Sequence, residues 1–431
     1  MAATSQMKVL VVGGGGREHA LAWALSRSPS VREVLCAPGN AGIERVARCL
    51  PIKADEMVKI ADLADAENVD LVVVGPEAPL VAGLADLLRD RGRAVFGCSR
   101  AAAEIEGSKI FSKELMQRHR VPTAAFGAFS QLPEAELFID ELGHEGAERV
   151  VIKADGLAAG KGVVIARAGA EAKAELAKML GGETVGDAGR RVVVEEFLVG
   201  REASLMALVD GERVTPLVPA EDHKQVRDGD EGPMTGGMGV VSPTAVMSDL
   251  ESARAVREVL EPTARGLAAE GRPFRGLLYA GLMLTAKGPR ALEFNCRFGD
   301  PETQVLMARL DDDLGALLYA NATGRPIERV RFSPRSAVCV VMASAGYPGA
   351  YPSGVPIDGL DAAGRVEGVS VFHAGTRKEG ELVVTAGGRV LGVTAVGDGV
   401  DEARARAYRA VEQIHFAGAH FRRDIGTRRR A

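Results

Sequence analysis

The stretch Ala291-Leu-Glu-Phe-Asn-Cys-Arg-Phe-Gly-Asp-Pro-Glu-Thr-Gln304 decides how the chain is read. It begins as a strand. Side chains alternate along a strand, so Leu292 and Phe294 point to one face while Glu293 and Asn295 point to the other. Two oxygen-bearing side chains at that spacing suit a hard cation such as Mg²⁺. Arg297, Asp300 and Glu302 follow around a Gly-Asp-Pro turn, and an arginine offers a fixed fork for carboxylate or phosphate. Alone, the stretch reads equally well as an edge strand with solvated charges. The residues upstream choose between the two.

A chain of 431 residues has room for several domains. Its 46% hydrophobic and 26% charged content is that of a soluble globular protein. A net charge of -5 and only 4% aromatics give no support for nucleic-acid binding. The five cysteines include no CxxC pair, which argues against a disulfide framework or zinc site and for a reducing compartment. Cys296 reads as packing, since sulfur is a soft ligand beside hard oxygens. The N-terminus has no apolar signal core, and no run of about 18 apolar residues occurs, so a cytoplasmic protein that does not enter a membrane is expected. The basic tail from Arg422 onward reads as solvated.

Lys8 to Val12 is a short apolar run, as in a buried parallel strand. Gly13 to Gly16, Arg17 and a helix over Ala20 to Ser26 follow, a strand–glycine–helix order that makes an anion site from backbone N–H groups. A dinucleotide fingerprint would need a third glycine where Glu18 stands, so the signal for NAD is weak. Val34 to Cys36 and Asp70 to Val74 repeat the theme, running into Pro38-Gly-Asn-Ala-Gly42 and Gly75-Pro-Glu-Ala-Pro-Leu80. The alternation predicts a doubly wound parallel sheet whose strand ends share one pocket. There Arg17 and backbone amides suit a phosphate, Asn40 joins them, and Glu77 suits sugar hydroxyls.

Farther on, a helix is expected from Gly107 to Arg120. Two short strands over Val150 to Ile165 flank a glycine loop from Asp155 to Gly162, with Lys153 on the first strand and Lys161 in the loop. No Walker pattern is present, but such a hairpin can fold over a triphosphate that lysine neutralises. Arg191 to Leu198 is a third strand, and its end can bond an adenine through the backbone while Glu202 holds ribose hydroxyls. The last 100 or so residues read as short strands with glycine turns and a helix over Val400 to Ile414. His373 among them reads as a packed or hydrogen-bonded side chain.

Lysines, glycine hairpin, acidic strand end and Glu-x-Asn in this order resemble the ATP-grasp superfamily. Asp222-His-Lys-Gln-Val-Arg-Asp-Gly-Asp230, Gly232-Pro-Met-Thr-Gly-Gly-Met-Gly239 and Arg297-Phe-Gly-Asp-Pro-Glu-Thr-Gln304 narrow the likeness. Together with Gly14 to His19, Pro38 to Gly42 and Gly75 to Leu80, they resemble the phosphoribosylamine–glycine ligase (glycinamide ribonucleotide synthetase) family over nearly the whole chain. Three departures stand out: Glu221 replaces a glutamine, Met234 an asparagine, and Arg201 an acid. Met234 puts substrate contacts at that position in doubt.

The resemblance implies an α/β and α+β multidomain protein. An N-terminal doubly wound parallel sheet (1–108) would bind phosphoribosylamine. An ATP-grasp core (109–328), with a small glycine-loop lid at about 124–194, and a C-terminal mixed β/α domain (329–431) would follow. It implies ATP-dependent ligation of glycine to 5-phosphoribosylamine through glycyl phosphate, in de novo purine synthesis. Glu293 and Asn295 would hold Mg²⁺ or Mn²⁺. Lys113, Lys153, Asp155, Gly156, Gly160, Lys161, Gly162, Glu195, Glu196, Phe197, Leu198 and Glu202 would bind ATP. Gly15, Gly16, Arg17, Glu18, Asn40, Gly42, Pro76, Glu77, Lys224, Gly237 and Met238 would contact the other substrates, and Arg297, Asp300 and Asp222 would carry the chemistry. The partners would be small molecules, with no nucleic acid or membrane, and the protein a monomer or weak homodimer. A different ATP-grasp ligase or carboxylase, a nicotinamide-linked oxidoreductase and a non-catalytic nucleotide-binding module are the alternatives. The Asp222–Gly239 segment, the missing third glycine and the filled lysine and metal positions argue against them in turn.

Overall fold

The computed structural model describes residues 6–157, 162–183 and 186–427. The first unit is a five-stranded parallel sheet. Its strands lie in the order Arg48–Cys49, Val31–Pro38, Met7–Gly13, Leu71–Val74, Ala94–Phe96. Val9 to Val12 and Leu71 to Val74 are buried, which is why they read as unbroken apolar runs: helices cover both faces. The helix expected from Ala20 begins earlier, at Gly16, and ends at Ser26, so Arg17, Glu18 and His19 sit buried in its first turn.

The middle unit holds two antiparallel sheets. One has strands Arg213–Pro216, Arg201–Asp210, Arg275–Thr285 and Gly288–Asn295. The other, which the sequence reading expects to act as a lid and which is called the lid below, has strands Phe126–Phe129, Val192–Glu196, Arg149–Ala154 and Val163–Arg167 and carries helices Leu132–His144 and Ala170–Leu180. The single helix expected from Gly107 to Arg120 is two, Arg100–Gly107 and Lys109–Arg118. They meet at Ser108, whose hydroxyl accepts from Phe111 N and caps the second helix.

The last unit is built on a five-stranded antiparallel sheet, Glu221–Asp222, Gly239–Ser242, Ser336–Ala343, Arg389–Gly397 and Val369–His373, backed by helix Val400–Val411. Two of these strands come from the middle of the chain. The segments on either side of Gly232–Met238 are thereby locked into the C-terminal sheet.

Burial follows the same division. One core joins Leu10, Val12 and Val72 of the first sheet to Leu205, Ala207, Leu278 and Ala280 of the larger middle sheet. A second joins Val9, Val11 and Leu21 to Leu277, Leu306 and Leu318. The lid packs on a core of its own, including Ile139, Leu142, Val150, Ile152, Leu176 and Val194, and the C-terminal sheet on another.

Arg422 corrects the reading of a solvated tail. Its guanidinium is fully buried between Asp230 at 2.9 Å and Asp424 at 2.6 Å. Arg428, Arg429 and Arg430 lie outside the described residues. Among the described residues, no helix is long and apolar enough to cross a membrane.

Candidate active site

The lid and the body face each other across a buried ionic bridge. Lys113 comes from helix Lys109–Arg118, Lys153 from the lid strand Arg149–Ala154 and Glu195 from the neighbouring lid strand. Glu195 lies 2.9 Å from each lysine. Lys113 also donates to Thr123 Oγ1 at 2.6 Å, and Lys153 to Leu292 O at 2.9 Å. Burial, only partly offset by Glu195, brings the Lys113 ammonium down to about 8. For Glu195 burial pushes the other way, but Lys153 and Lys113 hold the carboxylate below its usual range. Two buried cations against one carboxylate leave a surplus positive charge, and polyphosphate is an anion that can take it up.

Glu195 was expected on the adenine hinge and is instead the counter-ion of the two lysines. Glu196 ties the hinge, accepting from Ala125 N at 2.9 Å. Phe197 carries the Arg149 guanidinium 4.0 Å over its ring. Leu198 is half-buried beyond the strand end. The strand stops at Glu196, so the backbone of Phe197 and Leu198 is outside the sheet ladder.

Asp155, expected on the nucleotide, accepts instead from Ser108 Oγ at 2.9 Å and Ile110 N at 3.1 Å. Lys109, absent from the sequence reading, donates to Gly156 O at 2.9 Å. These bonds fasten the base of the glycine loop to a helix N-terminus. At the loop's other end Gly162 O accepts from Ala154 N at 2.8 Å. Gly160 and Lys161 lie outside the described residues.

Glu293 and Asn295 project from one face of strand Gly288–Asn295, as alternation requires. Burial alone would raise the Glu293 carboxyl. Lys224 at 3.6 Å, with Lys153, Lys109 and Arg297, brings it down to about 2. The group is therefore a carboxylate, a fit for a divalent cation. Among the described residues no cluster of three or more His, Cys, Asp or Glu is arranged around a metal. One carboxylate and one amide oxygen fit Mg²⁺ or Mn²⁺ that takes its other ligands from water and phosphate. Lys224 also stands 3.7 Å from Glu202, so it links the residue expected on the ribose to the residue expected on the metal.

Arg297 is more fully engaged than a free anion clamp. It lies 3.1 Å from Glu77 and 2.8 Å from Glu106, and donates to Asn295 Oδ1 at 3.3 Å. Glu106 went unnoticed in the sequence. It also accepts from Cys296 N at 2.7 Å across 190 residues, a distance that no motif spacing reports. Cys296 is buried, in keeping with its reading as packing.

The glycine turn of the first unit sits beside this cluster. Glu18 accepts from Gly15 N at 2.6 Å and from Arg17 Nε at 2.5 Å. Arg17 donates to Phe298 O at 3.1 Å and stands 3.9 Å from Glu77. Pro76 caps the helix that Glu77 begins. The Asn40 side chain is consumed inside the protein. Its amide donates to Gly14 O at 2.9 Å and His373 O at 2.8 Å, and its oxygen accepts from Gly42 N and Ile43 N. It shapes the loop and leaves its amide no free bond for a ligand. At Gly42 a Cβ would stand 2.4 Å from His373 Cγ, so that glycine serves packing. His373 is itself buried, bonded to Thr376 Oγ1 at 3.0 Å.

Asp222 and Asp300 complete the floor. Asp222 accepts from His223 N at 2.7 Å, and burial with Glu302 nearby raises its carboxyl well above the usual range. Asp300 is lowered: burial opposes this, but Arg389, Arg17, the Gln304 amide and Arg297 outweigh it. Gly237 has φ +111°, and a Cβ there would lie 2.6 Å from both Asp222 Oδ1 and Pro301 Cδ, so only glycine lets this backbone pass. Met238 is buried, and its N–H donates to His223 O at 2.8 Å. Ser204, Tyr279 and Glu302 form a buried hydrogen-bonded triad at 2.9 to 3.1 Å. Ser204 and Tyr279 line a cavity of about 10 Å³ shared with Asp222 and Lys224, room for about one water.

The three departures from the family pattern stand off this floor. Glu221 accepts from Thr244 Oγ1 at 2.8 Å, Met234 lies on the small hairpin opposite Gln225, and Arg201 reaches Glu251 at 3.8 Å near the surface.

Family models of phosphoribosylglycinamide synthetase match most of the chain: the N domain over residues 7–106, the ATP-grasp (A) domain over 107–303 and the C domain over 337–428. The chain belongs to the phosphoribosylglycinamide synthetase family. It is similar to the phosphoribosylamine–glycine ligases of Pseudomonas aeruginosa, 49% identical over 427 residues, and Allochromatium vinosum, 50% identical over 431 residues, with 98% of both chains covered each time. The crystal structure of the Thermotoga maritima phosphoribosylamine–glycine ligase superposes with a TM-score of 0.82 at 34% identity, covering 97% of this chain and 99% of that one. A biotin carboxylase domain from Hydrogenobacter thermophilus, 18% identical with a TM-score of 0.71 and covering 96% and 92% of the two chains, shares the fold. As a phosphoribosylglycinamide synthetase, the chain is an ATP-dependent carbon–nitrogen ligase. It joins glycine to 5-phosphoribosylamine in purine synthesis, with ATP and, as in its family, Mg²⁺ or Mn²⁺.

Proposed function

We propose that the ligation runs at the junction of the three units, with each supplying one part. Glycine's carboxylate has no good leaving group and must first become an acyl phosphate. Its oxygen attacks the γ-phosphorus, the bond to ADP breaks, and glycyl phosphate forms. Lys113 and Lys153 hold the nucleotide phosphates, and the loop from Asp155 to Gly162 covers them. The backbone at Glu196 to Leu198 reads the adenine, and Glu202 the ribose. Glu293 and Asn295 would hold a divalent ion, which would neutralise phosphate charge there. Catalysis in this step is positioning and charge stabilisation, and Arg297 supplies the fixed donor.

The amine of phosphoribosylamine then forms the C–N bond while the acyl C–O bond breaks. Phosphate leaves with the electron pair and takes up the nitrogen's proton. The Gly13–Gly16 turn, Arg17 and Glu77 bind the phosphoribosyl group. Asp300, ionised, orients the amine, while burial and Glu302 disfavour a negative charge on Asp222 and so lessen its repulsion of the phosphate. Closure of the lid keeps water from a labile amine and a labile acyl phosphate.

Boundaries near 108 and 328 divide the chain into phosphoribosylamine-binding, ATP-grasp and C-terminal units. The protein works in the cytoplasm as a monomer or weak homodimer. The observation that carries the reading is the bridge of Lys113, Glu195 and Lys153, set beside Glu293, on which Lys153 and Arg297 both act. Glycine labelled with ¹⁸O in its carboxylate tests it. The label should appear in inorganic phosphate, in a reaction that needs both glycine and phosphoribosylamine to release ADP. Label-free phosphate, or ADP release indifferent to either substrate, would sink it.

A further inference from the structure

One arginine of the C-terminal sheet has so far entered only as a charge acting on Asp300. Arg389 opens strand Arg389–Gly397 and reaches out of its own sheet. It donates to Gly236 O at 2.5 Å and Asp300 O at 2.6 Å, and its second terminal nitrogen meets Asp300 Oδ2 at 3.2 Å. The Gly236 peptide is gripped on its other side too, its N–H donating to Tyr347 Oη at 3.1 Å. The C-terminal unit thus holds both the Gly-Asp-Pro turn and the loop that leads into Gly237.

The position of Asp300 gives this grip a consequence. A Cβ built at Gly16 would lie 3.5 Å from Asp300 Oδ1, and one at Gly15 3.8 Å from Asp300 Oδ2. The carboxylate therefore rests against the glycine turn of the first unit. The Asp300 side chain is 18% exposed and that of Arg389 21%, so the pair is reached by solvent and is not sealed in a core. Gln304 Nε2 holds the other oxygen, Asp300 Oδ1, at 2.8 Å. Every polar contact fixes the direction in which this carboxylate points.

We propose that Arg389 is a positioning residue for amine transfer: it aims the Asp300 carboxylate at the Gly15–Gly16 turn and sets the Gly236–Gly237 loop against Asp222. The inference rests on the reading above, in which Asp300 orients the amine. Its chemistry is a planar, permanently charged fork serving two carbonyls and a carboxylate at once. Lysine, with one nitrogen, cannot reach all three. The charged groups acting on Asp300 are Arg389, Arg17 and Arg297. The titratable groups facing Arg389 are Asp300, Tyr347, Asp222 and Glu302.

The test compares wild type, Arg389→Lys and Arg389→Ala. ADP release is followed with glycine and phosphoribosylamine generated from ribose 5-phosphate and ammonia. Misplacing a reacting group by about 1 Å can cost on the order of 10²-fold. Arg389→Ala should therefore lose about that in kcat, with ATP affinity within about twofold. The acid limb of its pH profile should move to higher pH, because Asp300 loses the cation that most favours its ionised form. Arg389→Lys should keep the acid limb near that of wild type and recover only part of kcat. If Arg389→Ala does not fold, the lysine variant carries the test on kcat and KM alone. Wild-type kcat in either variant, or a loss confined to ATP affinity, overturns the proposal. Wild type lacking glycine- and phosphoribosylamine-dependent ADP release would instead overturn the reading on which it rests.

Discussion

The lid and the body are built on opposite plans. The body pools its apolar residues: Leu10 and Val72 of the first sheet share one core with Leu205 and Leu278 of the middle sheet, so neither sheet can shift without the other. The lid keeps its apolar residues to itself, around Ile139, Ile152 and Leu176. It joins the body through ions and hydrogen bonds: Glu195 to Lys113, Lys153 to Leu292 O, Asp155 to Ser108 and Ile110. Packed cores resist sliding because their contacts are dense, whereas a few polar links can be exchanged for a ligand's. In the proposed reaction the phosphates bind where the links are polar.

The comparison breaks most directly in the cores. Leu176→Ala and Leu278→Ala should each cost about 2–5 kcal/mol, but in different places. Hydrogen exchange should report lost protection only within the lid, residues 126–196, for the first. For the second, the first sheet and the middle sheet should lose protection together. If the lid change spreads into the first sheet, the two are one cooperative unit. Glu195→Gln comes next. Removing one partner from a buried ion cluster costs about 3 kcal/mol. The loss in melting temperature should be large without nucleotide and smaller with Mg-ATP, whose phosphates replace the missing carboxylate. An equal loss in both conditions would mean that the bridge is purely structural.

Arg297→Ala should lower turnover roughly tenfold or more with ATP binding largely kept, the cost of removing a transition-state donor. A loss confined to ATP affinity would take Arg297 out of the chemistry. The smallest effect is a fraction of a proton. Lys113 titrates near 8 in the free protein, and bound polyphosphate raises that value. Above pH 8 the free lysine is partly neutral, so binding should take up protons. Well below 8 it is already charged, and uptake should vanish. Calorimetry in buffers of different ionisation enthalpy reads this sign, and proton release at pH 8.5 would contradict it.

The elements that carry a local rhythm were legible in the sequence. Unbroken valine runs announced the parallel strands, alternation put Glu293 and Asn295 on one face, and the glycine hairpin placed Lys153. Side chains serving a distant partner were not. Asn40 looked like a ligand contact because it stands in a glycine loop, yet its amide holds His373 O, 333 residues away. Arg17 faces a phosphate in the sequence reading, but nothing local to it announced its bond to Phe298 O, 281 residues away. Glu106 and Arg389 were missed for the same reason: each is an ordinary charge on its own element until the fold brings Arg297 or Asp300 against it. Arg422 belonged by composition to a basic tail, and only two aspartates meeting at one point made it a core residue.

Hydrogen exchange of the whole chain with and without Mg-ATP tests the division most directly. The hairpin formed by Arg149–Ala154 and Val163–Arg167 should gain protection when nucleotide arrives, while the first sheet's Met7–Gly13 and Leu71–Val74 strands stay unchanged. Protection gained in those strands with none in the hairpin would contradict a lid that closes over ATP on an already rigid body.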